Sequence, residues 1–544
     1  MENAGADSAG AGRARQLNRA PPRRAPFWLA AIAWLAGAAS AGAASAREAG
    51  GAAAAEAATA AYFDRILASP PRLRAFVQAM PKGGDLHSHL SGAVYAEDYL
   101  RWAGEDGLCL QREDAQLGAP PCEPPARVAV ADAPLPLYGR AIDAMSVRGY
   151  ERGIGDPMVP VEQRFFDAFD RFRIVSRKRG GDMLAAVRAT AAGERTAYLE
   201  LMQVPPAGRS VVDAAAAQHR DAGDFAALAA ALQPVLADAV PRARAELDRD
   251  EARAAAVLGC AGAAPQPGCA VEVRYQIPAT RTHEPARVFA SLAFAFALAA
   301  ADPRCVGVNL LGVEHHPLAA RDYALHMRMV AFFKQRYPKV SVSLHAGELV
   351  AGLSPPGDLR SHIRQAVETA GADRIGHGIA LAYEDDLAAL LQEMAQRKVA
   401  VEINLSSNAA ILGVRGAAHP LALYRAAGVP VVLSSDDQGV LRSDLSGEYL
   451  RAAQEQGLDY RELKQLARAS LHYAFLPGAS LWRDAAGGAR AAACADADPL
   501  GDADAACAAW LRGSDKARLQ WRLEQQLARF EREPRLPLSS AQKK

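Results

Sequence analysis

Three short runs late in the chain, Val340–Glu348 (VSVSLHAGE), Val399–Asn408 (VAVEINLSSN) and Pro430–Asp437 (PVVLSSDD), share one design: an apolar, β-branched stretch that ends in polar or charged residues. Such runs read as buried strands whose last residues leave the sheet at one end. Asp85–Leu90, Thr196–Val204, Val271–Pro278, Val306–Glu314 and Arg374–Ile379 follow the same pattern and bring the number to eight. Between the later ones lie Leu318–Tyr337, Leu359–Ala370 and Tyr383–Arg397, in which apolar residues recur at helical spacing. Strand and helix in alternation argue for parallel βαβ units, and eight units for an α/β protein built as a (β/α)8 TIM barrel.

The barrel is expected over residues 80–480, longer than the ~250 residues such a fold needs, because two insertions interrupt it. The first, about 101–160 after strand 1, is rich in Pro and Gly and reads as loop; the second, about 206–265 after strand 2, is rich in Ala and Arg and reads as one or two long helices. Residues 47–79 read as a linker and helix. Residues 481–544 form a C-terminal extension whose Asp515–Arg532 segment reads as a helix packed on the outside of the barrel.

At the N-terminus, Arg13, Arg15, Arg19, Arg23 and Arg24 precede the uncharged apolar run Phe27–Ala41, and small residues follow to Ala44-Ser45-Ala46. A basic region, a short apolar region and a small-residue site are the signature of a signal peptide, here residues 1–46. The apolar part is shorter than the ~20 residues a membrane-spanning helix requires, so the chain is expected to be exported, periplasmic or secreted, with no stable membrane span after processing; an uncleaved membrane anchor is the alternative. The cysteines fit that compartment: Cys109 and Cys122, Cys260 and Cys269, and Cys494 and Cys507 are local pairs able to close as disulfides, while Cys305 stands alone. None has the spacing of a zinc knuckle. With 62 Lys and Arg against 61 Asp and Glu, the chain lacks the basic excess that nucleic acid or an anionic membrane would require.

In a TIM barrel the reacting side chains come from the C-terminal ends of several strands, and that is where the histidines and acids fall. Strand 1 ends in His87-Ser88-His89, whose i, i+2 spacing points both imidazoles to one side. Strand 5 ends in His345-Ala346-Gly347-Glu348, strand 6 carries Gly376-His377-Gly378, and strand 8 ends in Asp436-Asp437. Three imidazoles and a carboxylate, His87, His89, His345 and Asp436, are a donor set suited to zinc or a similar divalent ion with a position left open for water.

Taken in order, Met80-Pro81-Lys82, His87-Ser88-His89-Leu90-Ser91-Gly92, His345-Ala346-Gly347-Glu348, Arg374-Ile375-Gly376-His377-Gly378, Glu402-Ile403-Asn404-Leu405-Ser406-Ser407-Asn408 and Ser434-Ser435-Asp436-Asp437 resemble the motifs of the adenosine deaminases. The Pro-Lys-Gly-Gly opening, the early insertion and the signal segment look most like the secreted, growth-factor-type branch. The resemblance implies zinc-dependent hydrolysis of the 6-amino group of a purine nucleoside, a small-molecule substrate. It assigns Glu348 as the general acid that protonates the ring, and His377 as the group that orients or deprotonates the attacking water and stabilises the developing oxyanion. It also implies that Asp437 meets the imidazole-side nitrogen of the purine, that Gly312 meets the ring through its backbone, and that Glu314 braces the adjoining loop. Two positions depart from the family. Ser91 stands where an Asp usually binds the 5′ hydroxyl of the ribose, and Asn309 replaces an acid of strand 4, a change expected to alter the support beneath Gly312. Ser91 motivates an alternative substrate, an adenine nucleoside with a modified 5′ group; another amidohydrolase reaction and a binding relative without turnover are the remaining readings. Phe165, Phe166, Phe169 and Phe172, at helical spacing, read as core packing or as a hydrophobic lid.

Overall fold

The structure, a computed structural model, describes residues 51–153, 158–218, 222–484 and 487–536. The chain separates into two units, Met1–Ala54 and Ala55–Lys544, and the barrel lies within the second. The expected signal segment, residues 1–46, lies outside the described residues. Among the described residues no helix is long and apolar enough to cross a membrane.

All eight expected strands form: β1 (Gly83–His89), β2 (Thr196–Met202), β3 (Glu272–Thr280), β4 (Cys305–Leu311), β5 (Ser341–Ala346), β6 (Arg374–His377), β7 (Ala400–Ile403) and β8 (Val431–Leu433). They pair in parallel in that order. The ring closes through a parallel bridge between Ser88 and Asp436, where the Asp436 N–H donates to the His87 carbonyl (2.8 Å) and the His89 N–H donates to the Asp436 carbonyl (3.2 Å). Strand inner and outer faces are both covered, so the strands read as almost continuous apolar runs: every residue of β2, β6, β7 and β8 is buried.

The insertions differ from their sequence reading in one respect. Residues 101–160 are not simply loop: Leu117–Gly118, Cys109–Gln111 and Arg127–Ala129 form a three-stranded antiparallel sheet, and Leu135–Ala144 a helix. Strands of two or three residues are too short to show a period-two alternation; Leu110 and Leu117 are buried in the core, and the Cys109–Cys122 bond ties the Cys109–Gln111 strand to the loop that follows Leu117–Gly118. The second insertion is two helices, Gly208–Gln218 and the 33-residue Phe225–Val257. The structure also bonds Cys260 to Cys269 and Cys494 to Cys507, and leaves Cys305 free and buried in β4.

The helix Asp515–Arg532 forms with the expected bounds and packs from outside at the foot of the barrel, opposite the C-terminal ends of the strands. Arg518 pairs with Glu272 at the start of β3, and Leu519, Leu523 and Leu527 join Leu86, Tyr198 and Val432 in one apolar cluster. Its Phe530 meets Phe76 of the helix Pro70–Ala79 edge to face at 5.1 Å, joining the two ends of the folded unit. At the mouth lies the helix Val161–Ser176. It packs against the short segments that follow β1, β7 and β8. Phe165 and Phe172 are buried in the core and Phe172 stacks on Tyr99 at 4.4 Å, with Phe166 and Phe169 partly buried beside them. The aromatic stripe is therefore packing first, on a helix that roofs one side of the barrel.

Candidate active site

Strand ends at the barrel mouth bring together seven of the nine residues singled out from sequence: His87, His89, His345, Glu348, His377, Asp436 and Asp437. The ring centroids of His87 lie 4.4 Å from His345 and 5.0 Å from His377. The Asp436 carboxylate stands 3.3 Å from His89 Nε2 and 3.6 Å from His87 Nε2. Ligand-type atoms of His87, His89 and His345 lie within 4.8 Å of one another, as do those of His87, His377 and Asp436, and those of His89, Asp436 and Asp437.

Whether these residues suit a cation is decided by where the imidazole protons are. His87 Nδ1 is 2.7 Å from Glu402 Oε2, and a carboxylate only accepts, so Nδ1 carries the proton and the Nε2 lone pair points into the cluster. That Nε2 is buried and has no hydrogen-bond partner. His345 Nδ1 sits 2.9 Å from Asn309 Oδ1, whose amide nitrogen is committed to Gln276 Oε1 at 2.9 Å, so His345 also presents a bare Nε2, 3.3 Å from His89 Nε2. Converging lone pairs beside a carboxylate repel one another in the absence of a cation. Imidazoles whose other nitrogen donates to a carboxylate or amide oxygen are the usual arrangement around zinc. The donor set fits.

These imidazoles rest on buried charge. Arg374, fully buried, donates Nε to Glu402 Oε1 and Nη2 to Glu200 Oε2, both at 2.6 Å, and Ser343 Oγ donates to Glu402 at 2.8 Å. Burial alone would raise the Glu402 carboxyl, but Arg374 and His87 outweigh it and lower its pKa to about 2. Asp85, on β1, accepts from Ser435 Oγ at 2.6 Å and so ties the first strand to the segment after the last. Gly376 is required here, because a Cβ would lie 2.7 Å from His87 Cε1.

Glu348 is held by a second carboxylate. Glu314 accepts the backbone N–H of Gly347 (3.0 Å) and of Glu348 (2.9 Å), and is itself held by His362 at 2.6 Å and by Arg281 at 3.5 Å. The expected bracing role of Glu314 is what the structure shows. Burial, then the charges of Asp436 and Glu314, push the Glu348 carboxyl well above its ordinary range. His377 Nε2 faces Glu348 Oε1 at 3.6 Å and Asp436 Oδ2 at 3.8 Å. His377 and Asp436 both sit on left-handed backbone (φ 67° and 59°), a conformation that costs a non-glycine residue of order 1–3 kcal/mol and clusters at functional sites. Asp437 is buried with Oδ1 unpartnered, its carboxyl raised by burial. Its side chain fits only because residue 92 is glycine, since a Cβ there would lie 1.5 Å from Asp437 Oδ1.

The remaining two residues stand at the rim. Ser91 is half-buried on the turn after β1, its carbonyl accepting from Tyr99 at 2.7 Å, and Gly312, with φ 102°, directly follows β4. One expectation is corrected: Asn309 does not support Gly312 but holds His345, because alternation along β4 turns its side chain to the barrel interior, toward β5. Glu402, Arg374 and Glu200 were not assigned roles from sequence. The signal was present, charged residues inside apolar strand runs, but their partners were not readable.

A family-wide sequence profile described as adenosine deaminase matches residues 198–481, just over half of the chain. The chain belongs to the adenosine deaminase family. Among its relatives are an aminodeoxyfutalosine deaminase of Streptomyces coelicolor, 38% identical over 26% of this chain and 32% of that protein, and an adenine deaminase of Rhizobium leguminosarum, 31% identical over 38% and 58%. An adenosine deaminase of Escherichia coli is 35% identical over 25% and 38%. This family member thus spans less than two thirds of the length of the curated relatives it matches. Among solved structures, an Arabidopsis N6-mAMP deaminase aligns with a TM-score of 0.47 and 19% identity, over 74% of this chain and 96% of that one.

Proposed function

We propose that this protein hydrolyses the 6-amino group of an adenine nucleoside to the 6-oxo nucleoside and ammonia, with one zinc ion held by His87, His89, His345 and Asp436. The observation that carries the reading is the convergence of His87, His89 and His345 beside Asp436, with His87 Nε2 buried and unpartnered, flanked by a Glu348 carboxyl that burial pushes well above its ordinary range. A zinc ion bound there supplies Lewis acidity, making water acidic enough to act as a nucleophile near neutral pH.

The chain's own groups do the rest. Addition of oxygen to the carbon bearing the amine breaks the aromaticity of the purine, and the step costs less when the adjacent ring nitrogen gains a proton as the C–O bond forms. Glu348 is the proton donor, and its raised pKa is the condition for that work at neutral pH. His377 orients the water and stabilises the negative oxygen that develops. In this reading Asp437, whose buried Oδ1 has no partner and whose carboxyl is raised by burial, hydrogen-bonds a purine ring nitrogen, and the Gly312 backbone meets the ring. Loss of ammonia restores the ring.

A second reading has Ser91 behind it: an adenine nucleoside carrying a 5′ substituent in place of the free hydroxyl. A neutral hydroxyl at the rim neither strengthens binding of a 5′ hydroxyl by charge nor rejects its absence. Ammonia release measured over adenine, adenosine, 5′-deoxyadenosine and a 5′-thioether analogue decides between them; no release from any of the four would overturn both. We further propose, from residues 1–46 and the three cysteine pairs, that the chain is exported and related to the secreted growth-factor-type branch. Mass spectrometry of the unreduced mature protein should find an N-terminus near Arg47 and two or three disulfides, whereas an intact Met1 with seven free thiols would contradict export.

A further inference from the structure

A chain of buried side chains runs from the backbone after β7 to His377, and it leaves no freedom in where protons sit. The Leu421 N–H donates to His419 Nδ1 at 3.1 Å. A backbone N–H can only donate, so His419 Nδ1 carries a lone pair and, in the neutral ring, Nε2 carries the proton. Burial keeps that ring neutral, with its pKa lowered to about 4. His419 Nε2 stands 3.1 Å from Asn408 Oδ1. The amide of Asn408 is thereby oriented: its oxygen faces His419, and its NH2 faces His377 Nδ1 at 2.9 Å. His377 Nδ1 must then accept. Asn404 Nδ2, at 3.4 Å from the same atom, is a second and weaker donor. All four side chains are buried, so water does not compete for these bonds.

We propose that His419 is a positioning residue for the reaction: acting through Asn408, it fixes His377 in the tautomer whose proton is on Nε2, the nitrogen that faces Glu348 and Asp436. The consequence for chemistry is definite. A protonated Nε2 donates a hydrogen bond to an oxygen at the site and has no lone pair with which to take a proton there. Of the two roles expected of His377, orienting and stabilising an oxygen is the one this geometry permits, and deprotonating the water is not. His419 is linked to His377 through Asn408, and its contribution is to the state of His377. The tautomer assignment stands on the hydrogen-bond chain alone; the predicted effect on turnover rests on the deaminase reading.

Nitrogen-15 NMR of the zinc-loaded full chain, labelled in its twelve histidines, tests the tautomer directly, with the His377 and His419 signals assigned by their loss in His377→Gln and His419→Gln. Both rings should show Nε2 as the protonated, pyrrole-type nitrogen and Nδ1 as the unprotonated one. In Asn408→Asp, an acceptor replaces the donor and the His377 pattern should invert. A catalytic imidazole held in the wrong tautomer loses up to ~10⁴-fold in turnover, and kcat of this variant should fall by at least ~10²-fold with zinc content unchanged. In His419→Phe, Asn408 is free to turn while Asn404 still donates, so a mixed His377 signal and a loss of about tenfold in kcat are expected, with KM within about twofold. His419→Gln, which can accept from Leu421 and donate to Asn408, should restore both. A wild-type His377 protonated on Nδ1 overturns the proposal. So does a His419→Phe protein with an unchanged His377 signal. If the variants fail to fold, the wild-type spectrum still decides. If the tautomer is as stated but no nucleoside is turned over, the deaminase reading fails and the relay stands.

Discussion

The floor of the candidate site and its rim are built differently. On the floor several groups are gripped by a second buried group: His87 by Glu402, His345 by Asn309, the Glu348 backbone by Glu314, and Glu402 in turn by Arg374. At the rim, Ser91 is half-buried on a four-residue turn and Gly312 presents only backbone. Preorganised charge is what chemistry needs, since groups fixed in a dry site do not have to reorganise as the reaction proceeds. A weakly anchored rim is where one fold can change substrate without disturbing its reaction. The difference teaches that, on the proposed reading, the chemistry is written into the strands and the choice of substrate into the turns and insertions around them.

Changes to the floor should therefore be far more costly than changes to the rim. His89→Ala should remove the metal and reduce ammonia release to background, as read by elemental analysis and activity on the same sample. Glu348→Gln should keep the metal and the fold and lose at least ~10²-fold in kcat, because an amide cannot deliver a proton; metal lost in parallel with activity would mean that Glu348 is a ligand. Glu402→Gln leaves His87 with a weaker acceptor and should lower metal affinity by roughly 10- to 100-fold, measured by competition with a chelator. The smallest effect is expected at the rim. Wild-type kcat/KM for adenosine and 5′-deoxyadenosine should differ by no more than about tenfold, ~1.4 kcal/mol, and Ser91→Asp should shift the ratio toward adenosine. A thousandfold discrimination in the wild type would show that another rim residue supplies the missing contact.

The same division explains what was legible in the sequence. The eight strands were readable because buried parallel strands are continuous apolar runs, and the candidate ligands because they sit at strand ends, His87 and His89 in a His-x-His pair, His345 at the end of strand 5 and Asp436 in an Asp-Asp pair. What supports that set was not readable. Glu402 lies 315 positions from His87, and Arg374 lies 174 from Glu200. Residue type shows that a buried charge needs a partner, but only barrel closure shows which one. Asn309 was expected beneath Gly312 and instead holds His345, a neighbour across the sheet rather than along the strand. The small sheet within 109–129 escaped for the opposite reason, being too local to leave a periodic trace.

That the converging imidazoles and Asp436 hold one catalytic ion is tested most directly by titrating zinc into metal-stripped protein, with ammonia release from adenosine, or from the best substrate of the panel, followed at each point. Activity should rise linearly and reach its plateau at one zinc per chain. Full activity in the stripped protein, or a plateau with no bound metal, would contradict the account.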